Sequence, residues 1–202
     1  YVLGNYINMA KLAYEKQGDY KRCLEECHEN IRMFKNHPEI AFNPVHKWAT
    51  YMTASQMFSK EQQADSALIY AFKCLSCAQS IKFNARHFVG YAHNTIGIGY
   101  LAQNKPDSAI AHLHIMRSAM EQTNNPFTLQ ETQIYLANAM QMKGVLDSMY
   151  YYAKTAYDGA TKMGNDVNEM NAALILSEYF EKIDPIKSLF YLKNHNAIKE
   201  KL

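Results

Sequence analysis

The phrase Asp65-Ser66-Ala67-Leu68 returns as Asp107-Ser108-Ala109-Ile110 and as Asp147-Ser148-Met149-Tyr150, at steps of 42 and 40 residues. Self-similarity at this period constrains a chain more than its composition does. One supersecondary unit is being copied, and each copy must bury its apolar face against the next. Upstream, Gly18-Asp19-Tyr20-Lys21-Arg22-Cys23-Leu24 fits the same slot, with Cys23 in the place of Ala67. Downstream, Lys187-Ser188-Leu189 is a weaker fifth copy, in register if one residue is missing from its turn.

Nine positions before Cys23, Ala67, Ala109 and Met149 stand Tyr14, Phe58, Tyr100 and Met140, each large and apolar. Three residues before the last three of these lie Ser55, Gly97 and Ala137; the first copy has Lys11 there. A small residue on one helix lets a second helix approach closely, and the small residue early in that second helix makes the reciprocal contact. The spacing predicts ten helices, at 1–17, 20–36, 45–61, 64–82, 85–103, 106–123, 127–143, 146–163, 167–182 and 185–200. All five prolines fall at helix boundaries, with Pro106 and Pro126 at first helical positions where a missing N–H costs nothing. Gly18 and Gly144 fall in turns. The segment from His37 to Pro44 reads as a linker between repeats and not as a domain boundary. No strand-like alternation is present, so the expected fold is all-α.

Composition removes whole classes of function. The 202 residues carry 21 Lys and Arg against 19 Asp and Glu, a net charge of +2 that exerts no general pull on nucleic acid or anionic membrane. No apolar run approaches the roughly 18 residues of a membrane span. With 15 Tyr, 9 Phe and little net charge the chain is not disordered. It begins at Tyr1 without Met or a signal peptide, so a trimmed segment of a longer protein is the expectation.

Candidate chemistry is weighed against packing. Cys74-x-x-Cys77, with Cys23 and Cys27, has the spacing of metal ligands, but both pairs fall mid-helix and Cys23 and Cys27 occupy core slots of the repeat. Buried free thiols are the expectation. His112 and His114 point about 200° apart on a helix and cannot share a metal, and His87 and His93 also diverge. Gly97-Ile98-Gly99 lacks the third glycine and the preceding strand of a nucleotide loop. No nucleophile elbow, phosphate loop or zinc-protease motif occurs, so no catalytic, metal or cofactor residue is assigned.

Ile96-Gly97-Ile98-Gly99-Tyr100, followed by Asn104, Ala109 and Leu113, resembles the tetratricopeptide repeat (TPR) pattern of Leu-Gly-x-x-Tyr, a turn, and a small residue with a large one four later. HEAT or armadillo repeats fit by length alone, but the spacing of the anchors keeps TPR register. The resemblance covers the whole chain. It implies a single right-handed superhelical solenoid over residues 1–202, with five repeats at about 1–36, 45–82, 85–123, 127–163 and 167–200. Long-period repeats of this kind resemble the sensory or effector-binding regions of bacterial regulators: maltose-regulator-type activators, Rap-type phosphatases, and membrane-anchored regulators with a TPR region outside the cytoplasm.

In TPR solenoids the first helix of each pair lines the concave face. Carried over by position, the resemblance implies a groove of Asn8, Met52, Gln56, Tyr91, Asn94, Ile98, Ile134, Asn138 and Gln141. Asn5 and Leu12 join it in the first repeat, and Asn171, Leu174 and Glu178 in the fifth. The groove is rich in amides and almost without Lys or Arg, unlike TPR clamps for a peptide's terminal carboxylate. Residues 88–142 carry only Lys105, Asp107, Arg117, Glu121 and Glu131 as charges. The implied function is a non-catalytic binding module, the sensor or effector-binding region of a bacterial transcriptional or two-component-type regulator. The alternatives are a constitutive protein–protein scaffold and an accessory domain of a Rap-like phosphatase regulator. The expected partner is a peptide or protein segment, or else a neutral small molecule or sugar, with a homodimer left open. Nucleic-acid binding and membrane insertion by this segment are not expected. Unpaired thiols favour a reducing compartment, whereas the resemblance favours the periplasmic side of a membrane-anchored regulator.

Overall fold

A computed structural model describes residues 19–37 and 43–202. The first predicted helix, with Asn5, Asn8, Lys11, Leu12 and Tyr14, lies outside the described residues, as does most of the linker. The described residues are helical throughout, with no strand: α1 (Tyr20–Asn36), α2 (Pro44–Lys60), α3 (Ala64–Ser80), α4 (Ala85–Ala102), α5 (Pro106–Thr123), α6 (Pro126–Met142), α7 (Leu146–Met163), α8 (Asp166–Phe180) and α9 (Pro185–Lys201). The sequence-based bounds hold to within two residues.

The helix ends follow from local chemistry. Asp19, Asn43, Asn125, Asn165 and Asp184 each accept a backbone N–H from the first turn that follows, and Pro44, Pro126 and Pro185 open their helices. Asp65, Asp107 and Asp147 of the repeated phrase sit in the first turns of α3, α5 and α7, where a carboxylate meets the positive end of the helix dipole. The turn before the phrase is itself a repeat. The N–H of Gln63, Lys105 and Val145 donates to the carbonyl of Phe58, Tyr100 and Met140, at 2.8, 2.9 and 2.9 Å. In each case the residue before the donor is left-handed: Gln62 (φ 59°), Asn104 (φ 57°) and Gly144 (φ 72°). The large residues at the repeat's anchor positions therefore have a second role, as carbonyl acceptors that close the turn. The other set of turns uses Asn84, Asn124 and Gly164 in the same left-handed conformation.

The chain forms two compact units, Tyr1–His112 and Leu113–Leu202. In the first, α1 packs on α2, α2 on α3, α3 on α4, and α2 also touches α4. In the second, α6 packs on α7, α7 on α8, α8 on α9, and α6 also touches α8. The trailing helices α3 and α7 thus pack on their own leading helix and on the leading helix of the next repeat, and leading helices α2 and α4, or α6 and α8, lie side by side. Ser55, a predicted small position on α2, donates its Oγ–H to the carbonyl of Ala67 at 2.7 Å, which is the reciprocal contact in atomic form. In the last repeat Ser188 donates to the carbonyl of Ser177 at 2.9 Å. The separation shrinks from 12 residues to 11, in keeping with the shortened fifth turn.

Gly97 is buried as expected, and so is Ala109. The glycine that the structure shows in tight contact is Gly99. A Cβ there would come within 2.8 Å of Leu68 Cδ2, so α3 and α4 approach through a gap only hydrogen fits. Cys23, Cys27 and Cys74 are buried, but Cys77 is only half-buried, against the expectation for all four thiols. It lies on the flank of α3, close enough to Lys47 to feel its charge. The two pairs occupy different clusters: Cys23 and Cys27 pack with Ala54, Met57 and Phe58, and Cys74 with Trp48, Ala78 and Phe88.

Candidate binding surface

In the first unit the predicted positions divide into two kinds. Met52, Gln56, Tyr91 and Ile98 are half-exposed on α2 and α4, and Met52 and Tyr91 pack on one cluster around Trp48 and Phe88. Tyr91 lies 4.6 Å from the His87 ring and edge-on to Trp48 at 6.2 Å. Trp48 is fixed in turn by a 3.2 Å hydrogen bond from its Nε1–H to the Phe88 carbonyl and by an edge contact with that ring at 4.8 Å. Asn94 differs. It is 3% exposed, so it occupies a packed position, contrary to the expectation that its replacement would leave packing untouched. The reason is that α4 is flanked by both α2 and α3, which closes over its middle.

The interior behind these side chains is polar and incompletely bonded. Thr50 Oγ1 and Thr53 Oγ1 on α2, Asn94 Oδ1 on α4 and Gln103 Oε1 at its end are buried without a hydrogen-bond partner among the described residues. An orphaned buried acceptor of this kind costs about 1–3 kcal/mol. Three of the four lie within the two leading helices that carry Met52, Gln56, Tyr91 and Ile98.

In the second unit Ile134 is buried at 6%, a core residue rather than a groove residue; Asn138 is half-exposed and Gln141 exposed. Gln141 Nε2 donates to Glu178 Oε2 at 2.7 Å, joining two predicted groove residues across α6 and α8. The buried amides of this unit were not anticipated. Gln130 Nε2 donates to Met163 Sδ at 3.1 Å, and Asn168 Nδ2 donates to the Phe127 carbonyl at 3.2 Å. Part of the amide richness in the sequence therefore serves to tie helices together.

Sequence reasoning also missed a histidine pair. His93 Nδ1 and His112 Nδ1 are 2.7 Å apart, one ring donating its N–H to the other, beside Tyr100 and Phe72. Burial holds both imidazoles below their usual pKa, and on His93 the neighbouring His112 charge lowers it further. The signal was available in the repeat register. Moving the Ser55–Ala67 contact on by one repeat gives Gly97 opposite Ala109, and one turn outward lie His93 and His112. Among the described residues no group of three or more His, Cys, Asp or Glu side chains is placed to hold a metal ion, and no helix is long and apolar enough to cross a membrane.

Helical hairpins stacked leading helix to leading helix, with turns and small-residue contacts recurring every 40 to 42 residues, decide the architecture. The fold is TPR-like. Solved structures agree. RapI in its apo form matches 98% of this chain and 84% of its own, with a TM-score of 0.70 at 14% identity. Two crystal structures of nearly identical TPR-like repeats, from a Podosopora anserina kinesin light chain protein, also match 98% of this chain. The first, a Q17M form, covers 94% of its own length at TM-score 0.69 and 12% identity, and the second 95% at 0.66 and 13%. At these identities the likeness is one of fold. No family model matches the chain, and neither does any curated protein. A TPR-like repeat fold is typically a non-catalytic scaffold that binds protein or peptide partners.

Proposed function

We propose that this TPR-like chain is a non-catalytic binding module whose five repeats act as one domain, and that it is the effector-binding part of a bacterial regulator. Its ligand is an extended, largely uncharged peptide or protein segment. The observation that carries this reading is the pairing, on α2 and α4, of half-exposed Met52, Gln56, Tyr91 and Ile98 with the unbonded buried oxygens of Thr50, Thr53 and Asn94. A surface that combines aromatic and thioether contact area with amide groups and no charge gains affinity from apolar burial and neutral hydrogen bonds. Asn138 and Gln141 offer the same chemistry on α6.

Thermal-shift screening with neutral peptides and oligosaccharides, followed by calorimetric titration of the peptides that stabilise the protein, tests the proposal. Affinity should change little between low and high salt. Gln56→Ala should weaken it by about 0.5–1.5 kcal/mol. A steep loss of affinity with salt would instead mean that charged groups elsewhere hold the ligand. If sugars but no peptides bind, the ligand class is wrong.

A further inference from the structure

One slot between leading and trailing helix recurs from the second repeat to the fifth, and the third repeat fills it differently. The slot pairs the residue four before the small position of the leading helix with the residue three after its partner on the trailing helix. From the Ser55–Ala67 contact this gives Tyr51 and Tyr70, whose rings lie 6.1 Å apart. From Gly97 and Ala109 it gives His93 and His112, with Nδ1 atoms 2.7 Å apart and ring centres 5.0 Å apart. Ala137 with Met149 gives Gln133 and Tyr152, and Ser177 with Ser188 gives Ala173 and Tyr191. The surroundings repeat as well. Tyr70 stacks on Phe58 at 5.3 Å, and His112 lies 5.6 Å from the equivalent Tyr100. Tyrosine thus meets the packing needs of this slot, whereas the third repeat places there two side chains of the type that titrates near neutrality.

The ring centres are farther apart than the nitrogens by twice the radius of an imidazole, so both Nδ1 atoms lie on the line that joins the centres. That is the linear geometry of an N–H···N hydrogen bond. One ring donates, and the other accepts through the lone pair of its Nδ1. A first added proton can go to the outer nitrogen of the donor ring and spare the bond. A second leaves both Nδ1 atoms protonated, with no acceptor between them and two positive charges face to face. Nothing around the pair offsets those charges. Phe72 from α3 and Tyr100 from α4 present rings to His112. Burial alone acts on His112, and burial with His112 acts on His93. Arg86 on α4, Asp107 and Arg117 on α5, and Lys47 and Lys60 on α2 therefore leave both rings unbiased. On α3, Asp65 is engaged by Gln103, and Lys73 stands over the Tyr51 and Tyr70 rings. The residue in the place of Lys73 in the third repeat is Ile115, which brings no charge.

We infer that the His93–His112 pair is an acid-operated latch, which holds the first half of α5 on α4 at neutral pH and releases it when both Nδ1 atoms carry protons. The released rings bind protons more readily than the half-buried pair. Closure is therefore complete at neutral pH and is lost as pH falls below about 6.5. The latch belongs to the third repeat and does not depend on the binding surface proposed above. Hydrogen exchange read by mass spectrometry tests it, on the segment from Pro106 to His112 and on α3 in the same sample. Corrected for intrinsic rates, exchange of the α5 segment relative to α3 should rise by about tenfold or more between pH 7 and pH 5. Two double variants borrow the slot of a neighbouring repeat. His93→Tyr with His112→Tyr copies the second, and His93→Gln with His112→Tyr copies the fourth. In either of them the α5 segment should keep at pH 5 the protection relative to α3 that the parent has at pH 7. In the parent, 15N-labelled histidine should show a coupling between the two Nδ1 atoms at pH 7. Exchange of the α5 segment that stays in step with α3 in the parent overturns the proposal. So does an acid-driven excess that a folded double variant retains, and so does absence of the coupling at pH 7.

Discussion

The two units close the same kind of helical stack with different interiors. Up to His112 the core is aromatic and sulfur-rich, with Trp48, Phe58, Phe88, Met57, Cys23, Cys27 and Cys74, and it contains all four buried polar atoms that lack a partner among the described residues. From Leu113 onward the core leans on alanines at 153, 156, 160, 172 and 173, and its buried Gln130 and Asn168 are bonded. In the second unit the Met163 sulfur and the Phe127 carbonyl lie within reach of these amides. The first unit also buries alanines at 54, 67, 71, 78 and 92, yet leaves those four oxygens unanswered among the described residues. Unsatisfied buried groups in native proteins call for an explanation, and binding is the one favoured for this unit.

The largest expected effect that separates the units is Trp48→Ala. It removes the edge contact with Phe88 and the bond to the Phe88 carbonyl, and should cost about 3–5 kcal/mol. Chemical denaturation followed by circular dichroism should then show the first unit melting ahead of the second. A single unchanged transition would mean that the ring is not holding the unit. Gly99→Leu comes next, overpacking Leu68 at a cost of about 1–3 kcal/mol. Gly159→Ala, at the second unit's tight glycine, should move stability by at most about 1 kcal/mol, since crowding of Gln130 Nε2 at 3.1 Å opposes the helix propensity that alanine adds.

Acid should also separate them. Burial lowers the pKa of His46, His87, His93 and His112 in the first unit, and of His114 in the second. A lowered histidine pKa means that the unfolded chain binds more protons, so stability is full at neutral pH and is lost as pH falls below about 6.5. With four such groups against one, the first unit should lose more. Trp48 is the sole tryptophan, so its fluorescence reports the first unit alone. A fluorescence midpoint that does not move between pH 7 and pH 5 would contradict the sign. The smallest effect is expected at the turn before α3. Gln62→Gly should stabilise by about 0.5–1 kcal/mol, because a side chain at φ 59° is strained by more than glycine's extra entropy costs. A lower melting temperature in that variant would show that the side chain contributes a contact.

Most of this fold was legible because the repeated phrase encodes backbone events. Its aspartates mark helix starts, and its anchors at Phe58, Tyr100 and Met140 mark turns, so a periodic sequence states them several times over. The surface was less legible. Position within a repeat says which helix a residue belongs to, but not how far its neighbours close over it. Met52 and Asn94 hold the same position in successive repeats, yet the first is half-open and the second sealed. The His93–His112 pair was hidden for a related reason, since it depends on register between two helices and no motif within one helix announces it.

The left-handed turn residues have a consequence for handedness itself. At Gln62, Asn84, Asn104 and Asn124 the chain runs through the half of conformational space natural to mirror-image amino acids. A chemically synthesised version with D-alanine at these four places would therefore spell out the same turns with less strain than the natural residues, while a D-alanine inside any of the helices would break it. The solenoid is in this sense a right-handed text punctuated with left-handed marks, and the marks are where its chirality can be edited.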